Sequence, residues 1–65
     1  MKTTLNVSGM HCRSCEMLIA DAISEINGAR VLSADHTSGA VIVDYDSEAT
    51  LEAIRQAIRG EGFTV

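Results

Sequence analysis

Polar and apolar residues alternate through the stretch TTLNVS, which puts Leu5 and Val7 on one side of the chain. A period of two marks a strand with one buried face, and a first strand is expected over Lys2–Ser8. From Ser14 the period lengthens. Ile19, Ala22, Ile23 and Ile26 recur at spacings of three and four, Leu18 borders the same stripe, and Glu16, Asp21 and Glu25 lie elsewhere. That spacing predicts an amphipathic helix, with Asn27-Gly28 as its left-handed stop.

Alternation returns in ARVLSADHTSGAVIVDYD. Leu32 and Ala34 alternate before HTSG, and Val41, Val43 and Tyr45 alternate after it. Two strands around a turn at Ser38-Gly39 make a hairpin. A second helical stripe follows, formed by Leu51, Ile54, Ala57 and Ile58, with Thr50 placed to cap its start and Gly60 and Gly62 to end it. The segment FTV then predicts a short last strand.

The resulting order is β-α-β-β-α-β, in which each helix carries one apolar stripe. The simplest closure is α+β: a ferredoxin-like sandwich, with a four-stranded antiparallel sheet and two helices on one face. Thr4, Asn6, Ser33 and Asp44 suit the open face, where Val31 and Ile42 are also expected to point.

Composition narrows the class. A chain of 65 residues makes one small domain, expected over residues 1–65. A domain of this size buries only about 60% of the surface its unfolded chain exposes. With 46% hydrophobic and 22% charged residues and no proline, the sequence suits a packed chain rather than a disordered one. Its net charge of −4, with five scattered basic residues, argues against nucleic acid, whose binders carry a basic patch. No stretch has a signal-peptide core or the apolar length of a membrane span. A soluble cytoplasmic protein without membrane insertion is expected.

Both cysteines, Cys12 and Cys15, fall in GMHCRSC, where the strand pattern gives way to the helical one. A disulfide between them would close a loop of a few residues and tie no distant segments together. In a reducing compartment such a pair binds metal or does redox work more often than it staples. Two sulfurs three residues apart can converge on one point, and soft thiolates select soft ions, with copper(I) the natural occupant. A closed zinc site wants four donors, and the chain has no second cysteine pair. The first turn of a helix and Arg13, between the sulfurs, are both expected to ease deprotonation, chiefly at Cys15.

The stretch Gly9-Met10-His11-Cys12-Arg13-Ser14-Cys15 resembles the GMxCxxC motif of the heavy-metal-associated (HMA) domain. That family includes copper chaperones and the N-terminal metal-binding domains of copper-transporting P-type ATPases. The likeness runs over nearly the whole chain, through Asn27-Gly28, the TSGAVIVDYD hairpin and the AIRGEGF helix end. It implies the ferredoxin-like fold and a copper(I) ion held near the surface by Cys12 and Cys15. The ion would pass to a partner's cysteines through intermediates shared by both proteins, so no substrate is turned over and the chain is no enzyme. Met10 would pack inward beneath the loop, and Phe63 would stand close to the site. The expected partner is a copper-transporting P-type ATPase or its metal-binding domains. The expected state is a monomer without metal, with a metal-bridged dimer open to the loaded form.

The chain departs from that pattern at Ala29, where the family often has a larger aliphatic residue. Thr50 also lacks the glutamate that would complete a capping box. A free chaperone is preferred to an excised ATPase domain, since Met1 directly precedes the first strand. Other readings are a module for mercury, silver, cadmium or zinc, or a dithiol oxidoreductase. His11 stands beside Cys12, where family members selective for zinc or cadmium tend to carry an acid. Its imidazole is expected to face solvent and not to be a standing ligand. His36 lies beside the hairpin turn and, placed far from the cysteines, receives no role. The acids read as solvated faces, or as a surface that meets a basic partner.

Overall fold

A computed structural model describes all residues, 1–65. Its order is β1 (Lys2–Asn6), α1 (Arg13–Ser24), β2 (Ala29–Asp35), β3 (Ala40–Tyr45) and α2 (Glu48–Gly60). The strands form one antiparallel sheet in the order β1-β3-β2, with Leu5 opposite Val41 and Val31 opposite Val43. The two helices pack on each other, α1 also against β2 and α2 against β2 and β3.

One core of eleven buried residues joins the layers. Leu5, Val7, Val41, Val43 and Tyr45 come from the sheet side, Ile19 and Ile23 from α1, and Leu51, Ile54 and Ile58 from α2; Met10 completes it. The helical stripes read from spacing are therefore the faces that meet the sheet, although Ala57 is only half-buried. Gly28 takes the left-handed conformation expected of the first helix stop, at φ +85°.

Four details differ from the sequence reading. The expected fourth strand is a single antiparallel bridge, in which Ser8 and Thr64 exchange backbone hydrogen bonds of 2.8 and 3.1 Å. Extending that register would set Met10 opposite Gly62. Gly62 is already in the turn that leaves α2, so the hydrogen-bonded sheet has three strands.

In β2 the register shifts between Val31 and Ser33, leaving Leu32 bulged out and 42% exposed. A bulge inserts one unpaired residue and so reverses which side chains face the core beyond it. Val31 consequently packs inward against the core, contrary to expectation, and Leu32 does not. The cap of α2 is Ser47 rather than Thr50: the Ser47 hydroxyl accepts from the Thr50 amide at 3.3 Å. Thr50 instead sits in the first turn and donates its hydroxyl to Asp46. Finally, Gly60 lies inside α2, and Gly62, at φ +95°, is the residue that ends it.

Candidate metal centre

The two cysteines sit where β1 hands the chain to α1. Cys12 is the N-cap of α1, with extended backbone angles, and its carbonyl accepts from the Cys15 amide at 3.1 Å. That turn brings Cys15, in the first helical turn, back under Cys12, with the two sulfurs 3.9 Å apart. A disulfide needs about 2.05 Å, so both thiols are free and leave room between them. Cys12 is exposed; Cys15 is half-buried, with one side against the core.

The first-turn amides of α1 reach the Cys12 sulfur. Its side chain closes no full cap hydrogen bond. Even so, the backbone N–H of Cys15, then that of Ser14, hold its thiol below the usual cysteine range, with the Cys15 sulfur adding to them and slight burial opposing. Unpaired first-turn amides carry the positive end of the helix dipole, which favours an anionic sulfur. Arg13, exposed between the two cysteines, also reaches Glu16, where its charge helps to lower the carboxyl.

The loop beneath the sulfurs is supported from three sides. Met10 is only 7% exposed and fills the core under the loop, as expected of a residue holding the loop's shape. The ring of Phe63 lies beside Gly9, which places that aromatic next to the site, and the Ser8–Thr64 bridge closes the same side. On the hairpin side, the Val7 N–H donates to the Gly39 carbonyl at 2.7 Å. A Cβ at Gly39 would stand 2.7 Å from the Val7 carbonyl oxygen, and Gly39 has φ +77°. Only glycine permits both this close approach and that backbone conformation.

The sequence reading places His36 far from the cysteines; because the hairpin turn packs against the first turn of α1, the structure corrects the position of His36. The structure brings it to Glu16, the residue after Cys15: its backbone N–H and its ring Nδ1 both donate to Glu16 Oε2 at 2.7 Å. These bonds, chiefly the ring's, hold the Glu16 carboxyl below its ordinary range. An ionised carboxylate only accepts, so the ring proton lies on Nδ1. Asp35 is close by, and donor atoms of Glu16, Asp35 and His36 all lie within 4.8 Å of one another. The hydrogen bonds already account for this approach. Pairing on opposite elements is visible only once the hairpin returns its turn to the same end of the molecule as Cys12 and Cys15. His11 is exposed, as anticipated.

Residues 4–64 match the heavy-metal-associated domain, and the chain belongs to that family. It is 30% identical over 63 residues to the copper chaperone CopZ of Staphylococcus saprophyticus, covering 95% of this chain and 93% of that one. With the COP-associated protein of Helicobacter felis it shares 32% over 63 residues, covering 97% and 96%. Against the copper-transporting ATPase HMA4 of Oryza sativa subsp. japonica it is 32% identical over 98% of its own length but only 7% of that protein's. Among solved structures, a CopZ metallochaperone superposes with a TM-score of 0.84 at 30% identity, covering 100% of this chain and 98% of that one. The match confirms an α+β fold of two helices on an antiparallel sheet. No helix is long and apolar enough to cross a membrane.

Proposed function

We propose that the protein binds one copper(I) ion between Cys12 and Cys15 and carries it to a partner. The observation that carries this reading is the pair of free sulfurs 3.9 Å apart at a helix N-terminus, one exposed and one half-buried. Cys12, whose thiol is lowered, is the side that meets an incoming or departing ion. Cys15, packed against the core, is the anchor. Two thiolates suit a soft ion and leave it open to a third, so an acceptor thiolate can bind before a donor leaves. The chain performs transfer, with no substrate turned over.

The cargo is supported by the names of the relatives, which include copper chaperones and a copper-transporting ATPase. The match to a small part of that ATPase supports the metal-binding domains of copper-transporting P-type ATPases as partners. A reducing cytoplasm, where a vicinal dithiol stays free, is the compartment that fits.

The test is competition of the reduced protein against a copper(I) chelator, beside the same titration with zinc(II), for the wild type, Cys12→Ser and Cys15→Ser. Tight copper(I) binding is expected in the wild type and is lost in each variant, while circular dichroism stays unchanged because neither sulfur staples the chain. A variant that keeps wild-type affinity, or a preference for zinc(II), would contradict the proposal. Rapid disulfide exchange by the metal-free protein would favour an oxidoreductase instead.

A further inference from the structure

The hairpin turn and the cysteine loop are joined at both ends of the loop. Before it, the Val7 N–H donates to Gly39 at 2.7 Å; after it, Glu16 accepts from His36 twice, at 2.7 Å each. The turn between those attachments is itself fixed, since the Gly39 N–H donates to the Asp35 carbonyl and the Thr37 N–H to Asp35 Oδ1, both at 2.9 Å. Residues 8–15, which hold both sulfurs, therefore span two points of one braced turn. The bonds to Glu16 are partly sheltered, with the Glu16 side chain 20% exposed and that of His36 38%.

We propose that His36 is a positioning residue for the metal centre: by holding Glu16 it sets the first turn of α1, and with it the direction in which Cys15 faces Cys12. Rigid attachment at this point has a specific consequence. Cys15 precedes Glu16 by one residue, so a rotation of the first turn that frees Glu16 also swings the Cys15 sulfur. Groups that hydrogen-bond a metal ligand from behind change metal affinity by about 10–100-fold when removed, and His36 acts one residue further out, through Glu16. One bond to Glu16 survives loss of the ring, because the other donor is the His36 backbone. An effect near the lower end of that range is expected.

This inference rests on copper(I) binding by the two cysteines, so its test includes arms without metal. His36→Ala removes the ring donor, whereas His36→Asn keeps an N–H group near the position of Nδ1. Ser47→Ala, at the far helix cap, is a control for general loss of stability. Chelator competition measures copper(I) retention; cysteine alkylation rates and amide exchange at Cys15 and Glu16 are measured on the metal-free chain. His36→Ala should lower copper(I) affinity about 10-fold, speed alkylation of Cys15 and speed exchange of both amides. His36→Asn should restore most of each, and Ser47→Ala should change none. Wild-type alkylation and exchange in His36→Ala would overturn the proposal, as would an equal loss in Ser47→Ala or no rescue by asparagine. Failure of the wild type to bind copper(I) would remove the functional reading, and the metal-free arms would still decide whether His36 braces the turn.

Discussion

Met10 separates residues that build the site from residues that bind. It immediately follows Gly9 at the mouth of the loop, and its thioether is chemically able to hold a soft ion. Yet it is 7% exposed and belongs to the same core as Ile19 and Ile54, beneath the loop instead of at its open side. Met10→Ala should therefore lower stability by about 2–5 kcal/mol, the cost of emptying a buried methionine site, as measured by denaturant unfolding. Copper(I) affinity should fall far less than in Cys12→Ser. A copper affinity lost as fully as in the cysteine variants, with stability unchanged, would make Met10 a ligand. Cys12 shows the complementary case, since its sulfur is exposed and its thiol is lowered first by the backbone N–H groups of Cys15 and Ser14 and then by the Cys15 sulfur. The motif singles out both cysteines, but residue types alone could not place Cys12 at the helix cap, where the first-turn amides reach its sulfur. That depends on the helix starting at Arg13 rather than Ser14, which makes Cys12 the cap.

Elements were legible wherever one face is buried along its whole length. The stripes Ile19–Ile23 and Leu51–Ile54–Ile58 and the alternation Val41–Val43–Tyr45 all lie in the core, because a single apolar period needs no knowledge of neighbours to be read. β2 was misread for the opposite reason. Its bulge changes period at Leu32, and nothing local distinguishes Val31 inward from Leu32 inward; pairing with Val43 decides it. The Glu16–His36 contact lay beyond reach as well, since it joins residues twenty positions apart across α1 and the hairpin. That contact makes a prediction about pH. The Glu16 carboxyl is held low in the folded chain, first by the His36 ring, then by the His36 backbone N–H, with weaker help from the charges of His36 and Arg13. A carboxylate of depressed folded-state pKa adds stability that is present above glutamate's ordinary range and is lost as pH falls through the folded value. The stability gap between the wild type and Glu16→Gln should be open near neutrality and close as the solution is acidified below that range. Denaturant midpoints measured across pH check it, and a gap of constant size would show that ionised Glu16 adds nothing to the bond.

At the scale of the whole molecule, the fold gathers its chemistry at one end. β1 leads into the cysteine loop there, β2 and β3 turn there through residues 36–39, and α2 runs out there through Phe63 to the Ser8–Thr64 bridge. Packing deep in the sandwich is thus separate from the exposed Cys12 sulfur, so the proposed carrier would give up its ion without unfolding. On the proposed reading, the net charge of −4 would suit encounter with a basic face on a partner. Family membership and a TM-score of 0.84 to a CopZ metallochaperone fix the frame in which the two sulfurs are held. The central claim is that these sulfurs alone among the side chains hold the ion. X-ray absorption at the copper edge tests it most directly, on the reduced protein loaded with one equivalent of copper(I) without added thiol. The account predicts a first shell of sulfur from Cys12 and Cys15 that is unchanged in His11→Ala and absent in the double serine variant. A nitrogen shell that disappears in His11→Ala, or a sulfur shell that survives loss of both cysteines, would contradict it.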